Sequence, residues 1–159
     1  MRKIMINQSV STFLPVDLQF LDLEQLAQVE FTSESQEHPV ETALMQKEDL
    51  AFGWQAACSG EQIVRLIFDQ PQTIEHILLV FDELQQSRTQ EFVILWLMDK
   101  ATSYQEILRQ QYHFSPPNTV REIEHYQVKL NQLKALELRI TPDIDGGDAC
   151  AKLKLLRLA

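Results

Sequence analysis

Hydrophobic positions in the middle of the chain come in short runs cut by polar joints. Gln62–Phe68, Thr73–Phe81 and Gln90–Met98 are seven, nine and nine residues long and rich in Val, Ile, Leu, Phe and Trp. Turn formers or charge bound each one: Ser59 and Gly60, Asp69 to Pro71, Asp82 and Glu83, Asp99 and Lys100. Four more segments follow, Tyr104–Tyr112, His125–Leu130, Ala135–Thr141 and Ala149–Leu158. Within Glu137–Ile140 and Lys152–Leu155, polar and apolar residues alternate one for one, as in a strand with one face on solvent. Upstream, Val29–Ser33 also alternates. Pro39 followed by Val40, Ala43 and Leu44 predicts a single helical turn, and residues 45–52 read as a loop. Short strands at such spacing predict an antiparallel sandwich or barrel.

Residues 1–28 differ from the rest and read as an N-terminal extension packed on a domain spanning 29–159. Asp17 suits the cap of a short helix over 17–27, with Leu18, Leu21 and Leu26 on one face. Ser11–Leu14, ahead of Pro15, reads alternatively as a short strand.

The joints sort by strand parity. If consecutive strands alternate in direction, segments 53–61, 82–89, 113–119 and 142–148 share one end of the sandwich. The short joints 69–74, 99–103 and 131–134 then share the other. The first set carries the chemically rich residues, so a binding site is expected there.

At 159 residues the chain fits one domain with a sizeable core. No run approaches the roughly 20 apolar residues of a membrane span. Ile4–Ile6 is too short for a signal-peptide core, and the expected location is cytoplasmic. Cys58 and Cys150 lack zinc-ligand spacing and read as free thiols. The formal charge of −9 is uneven. Residues 1–60 have three Lys/Arg against nine Asp/Glu, and residues 61–111 have four against eight. Residues 112–159 have seven against six, the only part with a positive balance. An acidic surface repels phosphate backbones, which disfavours nucleic-acid binding.

With these residues in view, the stretch 29–158 resembles the galactose-binding-like jelly-roll family, which includes discoidin and coagulation-factor type C domains. The resemblance rests on strand Val29–Ser33, the turn Pro39–Leu44, Trp54, and Phe68-Asp69-Gln70-Pro71 leading into Ile74-Glu75-His76-Ile77. It continues through Glu91-Phe92-Val93-Ile94-Leu95 and ends on Asp145-Gly146-Gly147-Asp148-Ala149 before a last strand, Leu153–Leu158. Trp54-Gln55-Ala56-Ala57-Cys58-Ser59-Gly60-Glu61 and Phe114-Ser115-Pro116 are also similar to the N-terminal domains of eukaryotic single-strand-break repair scaffolds. What the resemblance implies is an all-β antiparallel jelly-roll sandwich with one or two short helices. It implies little about the ligand, because the fold hosts sugar, lipid, protein and DNA binders.

Candidate chemistry gathers at strand ends. Trp54 fits either a structural tryptophan beneath the barrel end, where the resembled family has one, or a platform on which a sugar ring stacks. Trp96, mid-strand, reads as core or sheet surface. His113 opens a loop with Ser115, Pro116, Pro117 and Asn118, just after Arg109 and Tyr112. Such a mix of planar donors and aromatics suits a polyol-binding rim, or a plain proline-rich loop. Asp143, Asp145 and Asp148 around Gly146 and Gly147 suit a turn, without the ligand spacing of an EF-hand. His76, among apolar neighbours, reads as structural. Asp82-Glu83 and Glu122/Glu124 read as solvated charge. No nucleophile elbow, phosphate-cradling loop or metalloprotease motif is present, and glycines number only four, so neither catalysis, a cofactor nor a metal is expected.

The first functional expectation is a non-catalytic module binding a glycan or small polyol through Arg88, Tyr112, His113, Asn118 and Trp54. The second is a protein-interaction module that docks a partner or a second copy on a sheet face or edge.

Overall fold

The computed structural model describes residues 18–46 and 53–159. The segment Ser11–Leu14 and Asp17 lie outside the described residues. The helix expected over 17–27 is a single turn, α1 (Leu23–Leu26), and the turn expected at 39–44 is α2 (Glu41–Leu44). Leu23, Ala43 and Leu44 are buried in the core. The Leu21 N–H donates to the Leu158 carbonyl at 2.8 Å. Strand β1 (Ala27–Phe31) therefore begins before residue 29, and the division drawn between 28 and 29 falls inside it.

β1 pairs antiparallel with β3, a strand of 21 residues running from Gln62 to Asp82. Two strands separated by a loop at 69–74 were expected there. The chain instead stays extended, held by its pairing with the facing strand on both sides of the segment; Pro71 permits this, since proline holds φ near a β-compatible value and favours extended backbone in the residue before it. Pro71 sits in a bend with register irregularities between Ile67 and Gln72, Gln72 and Ile74, and Ile74 and His76. The partner, β6 (Arg121–Thr141), also has 21 residues and bends alongside it, with Gln132 at a φ of 57°. The loop expected at 131–134 is thus a second continuous strand.

This pair of bent strands builds both layers. Residues 62–67 of β3 pair with 135–140 of β6, which pairs with β4 (Arg88–Met98), and β4 with β5 (Gln105–Phe114). Beyond the bend, 76–82 of β3 lies between 121–127 of β6 and β8 (Leu155–Leu158). Phe81 of the second layer stacks on Phe92 of β4 at 5.2 Å, and Tyr126 meets Phe92 edge-on at 6.5 Å. Val64, Leu66, Phe68, Leu79, Ile94, Leu138 and Ile140 fill the space between. The fold is an antiparallel jelly-roll sandwich with two short helices among the described residues.

A further strand pair comes from segments with different expectations. Trp54–Ser59, expected within a loop, is strand β2 and pairs with β7 (Cys150–Leu153). The last expected strand, 149–158, divides at Lys154, whose N–H donates to the Val80 carbonyl at 2.9 Å. β7 then serves β2, and β8 serves β3.

The ends sort as parity requires. Asp82 opposes Arg121 and Arg88 opposes Phe114. The Glu83 N–H reaches the Val120 carbonyl at 2.8 Å, and the Ile144 N–H reaches that of Thr89 at 2.9 Å. Segments 83–87, 115–120 and 142–149 therefore converge on one end. At the other, the Asp99 N–H bonds the Gln132 carbonyl at 2.7 Å.

Candidate functional site

Loop 83–87 is anchored from below by Glu83. This carboxylate is buried and accepts from Arg88 Nε at 2.8 Å, the Gln85 N–H at 3.0 Å and Lys152 Nζ at 3.3 Å. Burial alone pushes the Glu83 carboxyl up. Arg88, the Gln85 N–H and Lys152 outweigh it and hold the group below the usual carboxylate range. Arg88 continues the network to Gln90 Oε1 at 3.2 Å and the Pro142 carbonyl at 2.8 Å, with its guanidinium 4.8 Å from the Phe114 ring centroid. One buried ion pair thus ties the loop to β4 and to the start of segment 142–149.

Two candidate ligand residues are corrected by this geometry. Arg88 is 2% exposed and Trp54 is 1% exposed, so neither side chain presents a surface to a ligand. Trp54 lies in the core and donates its indole N–H to the Ser33 carbonyl at 2.9 Å. Arg88 falls in the polar segment 82–89, and arginine is rarely buried; here a carboxylate, an amide and a carbonyl compensate its charge. The Asp82-Glu83 pair is likewise not free solvated charge: Glu83 is internal, and both Asp82 oxygens accept from Arg121, at 2.6 and 2.9 Å.

The remaining candidates are placed apart. Tyr112 is half-buried, with its hydroxyl donating to the Arg121 carbonyl at 2.9 Å. Burial, then Glu122 and Glu124, push its phenol up. His113 is exposed and 2.8 Å from the Thr89 hydroxyl. Asn118 is exposed on the 115–119 turn, its N–H bonded to the Ser115 carbonyl at 2.9 Å. His113 and Asn118 belong to the same end of the sandwich as loop 83–87.

The concave surface at this end is a shallow cleft of about 280 Å³ between loop 83–87 and strands β2 and β7. His38, Gln55, Asp82, Leu84, Gln85, Lys152 and Lys154 line it, over a floor of Gly53, Trp54 and Leu153. Leu84 stands 71% exposed on the rim. Of these, the sequence singled out Trp54 alone as a ligand residue. The available signal was Leu84 itself, an apolar residue isolated among Asp82, Glu83, Gln85 and Gln86.

Segment 143–148 folds as a turn. The Asp145 N–H donates to Asp143 Oδ1 at 3.1 Å, and the Gly146 N–H donates to the Asp143 carbonyl at 3.2 Å. Among the described residues no three His, Cys, Asp or Glu side chains are grouped to hold a metal. Glu122, expected in solvent, faces the interior. Its Oε1 accepts from Gln90 Nε2 at 3.2 Å, while burial and then Glu124 push its carboxyl up to about 9.

No protein-family profile matches the chain, and no curated protein does. Solved structures share its fold. A family 32 carbohydrate-binding module from Clostridium perfringens, in complex with GalNAc-β-1,3-galactose, has a TM-score of 0.65 at 12% identity, over 88% of this chain and 99% of that one. The family 32 module of Clostridium perfringens NanJ, in complex with galactose, has a TM-score of 0.62 at 10% identity, over 87% and 96%. A pectin binding carbohydrate binding module has a TM-score of 0.59 at 20% identity, over 84% and 90%. All three likenesses are of fold, the antiparallel jelly-roll sandwich.

Proposed function

We propose that the protein is a non-catalytic glycan-binding module whose saccharide sits in the cleft between loop 83–87 and strands β2 and β7. One observation carries this reading: an exposed leucine projects beside amide and ammonium donors over a floor of rigid strand. A pyranose ring has hydroxyls at its edge and an apolar C–H face. It needs an apolar surface on one side and planar or charged donors around it, with few moving parts. Leu84 supplies the first; Gln55, Gln85 and the lysines supply the second. The saccharide complexes of similarly folded modules support the reading. His113 and Asn118 extend the same end and would meet outer sugar units of a longer ligand.

The test is a broad glycan array followed by calorimetry on the best ligand. Leu84→Ser and Gln55→Ala are expected to weaken binding about tenfold or more, with the melting temperature unchanged for the exposed Leu84. An array without any ligand would remove this reading.

A second reading, docking of a protein on an open sheet edge, is favoured by β5. It pairs with β4 on one side and, among the described residues, ends the strand order on the other. Open edges of ten residues accept an added strand through main-chain hydrogen bonds. Recovery of one stoichiometric partner, lost on Gln110→Pro, together with a silent array, would favour it over saccharide binding.

A further inference from the structure

The cleft's charge differs from that of the molecule around it. The chain carries −9, yet the charged groups lining the cleft, taken with the ion-pair networks they belong to, comprise four permanent cations, Arg88, Arg121, Lys152 and Lys154, against two carboxylates, Asp82 and Glu83. Both carboxylates are already engaged. Asp82 has each oxygen on Arg121, and Glu83 is shared between Arg88 and Lys152. The local balance is therefore two positive charges.

Those charges face the cleft through the lysines. Lys152 uses one of its three ammonium donors on Glu83 and remains 26% exposed. Lys154, two residues on, has no ion pair among the described residues. Lys152, in β7, and Lys154, at the break between β7 and β8, both line this cleft. A concave surface with low-dielectric walls concentrates the field of such charges. A neutral sugar would leave both ammonium groups to water; an oxyanion would pair with them.

We infer that the cleft selects an anionic saccharide, its charge carried by a carboxylate or a sulfate ester placed against Lys152 and Lys154. This inference rests on the saccharide reading above and adds the class of sugar. Lys154 is the primary determinant. Lys152 contributes less, because Glu83 shares its charge.

The experiment compares tri-galacturonic acid, its fully methyl-esterified form and a sulfated galactose disaccharide with its unsulfated parent, by calorimetry at 50 and 300 mM salt. The uronate, the sulfated sugar or both are expected to bind about tenfold tighter than their neutral counterparts, with the advantage shrinking at high salt. Which of the two keeps the advantage identifies the source of the charge. Lys154→Gln is expected to abolish most of the preference, so that charged and neutral forms bind alike, while leaving the melting temperature unchanged. Lys152→Gln should do so partly and also lower the melting temperature. Equal binding of charged and neutral forms, or an advantage untouched by Lys154→Gln, overturns the inference and leaves the saccharide reading intact. Binding of none of the four, with none on the wider array, overturns both.

Discussion

Glu122 is the side chain with the plainest energetic consequence. It is 1% exposed, and its Oε2 has no hydrogen-bond partner among the described residues. Burial, then its neighbour Glu124, raise its pKa to about 9 from an ordinary 4.5. A carboxyl raised in this way folds protonated. Its contribution is fully present below the unfolded value near 4.5 and is lost as pH climbs toward 9. Glu122→Gln keeps the shape of the neutral acid and removes the titration. The variant is expected to gain roughly 1–3 kcal/mol at pH 8 to 9, several degrees in a thermal melt, and almost nothing at pH 4. A pH-independent difference would show that the group does not titrate on folding. Glu83 has the opposite sign. Its lowered pKa contributes stability above the usual carboxylate range, lost as pH falls through the lowered value. Glu83→Gln should cost roughly 3–5 kcal/mol, because Arg88 is then left buried without a counter-charge. Replacing both, with Arg88→Met, should recover more than half of that loss in urea titrations.

Among the elements, the β2–β7 pair depends most on one small residue. Gly53 has a φ of +129°, and a Cβ there would lie 2.9 Å from the Leu153 carbonyl oxygen and 3.0 Å from the Lys154 Cα. Both obstacles are backbone, so no side-chain rotation relieves them. Gly53→Ala is expected to cost about 1–3 kcal/mol through combined φ strain and contact. Because Gly53 also forms the cleft floor, saccharide affinity should fall with stability, unlike in Leu84→Ser. Calorimetry and thermal melts on the two variants separate these effects. An unchanged melting temperature for Gly53→Ala would mean that the strands can part at no cost.

For the whole molecule, β3 and β6 decide how it unfolds. Each passes through the bend near Pro71 and Gln132 and supplies strands to both layers. Neither layer can then lose its pairing without disturbing the other. Denaturant unfolding should be a single transition, with fluorescence and circular dichroism coinciding. Amide exchange should give residues 64–68 and 77–81 similar protection, since global opening limits both. Two resolved transitions, or protection confined to one half of β3, would contradict the shared-strand argument.

Period-two alternation and turn residues made the strands, their order and the sorting of joints to two ends legible from the chain alone. These are local signals: which face Val64, Leu66 and Phe68 present is decided by spacing, whatever the partner. The same is true of Gly146 and Gly147, where a turn needs backbone that other residues avoid. Continuity through Asp69–Gln72 and Asn131–Lys134 was not legible. Proline, aspartate and asparagine signal a turn locally, and only the facing strand's hydrogen bonds keep each segment extended. Trp54–Ser59 became a strand because β7, more than ninety residues later, pairs with it. Arg88 and Glu83 read as surface charges until burial brought them to 2.8 Å and made each the other's reason for being inside. The cleft draws on residues 38, 53–55, 82–85 and 152–154. No window of sequence contains such a set; tertiary pairing alone brings it together, and with it the excess of positive charge in an acidic protein.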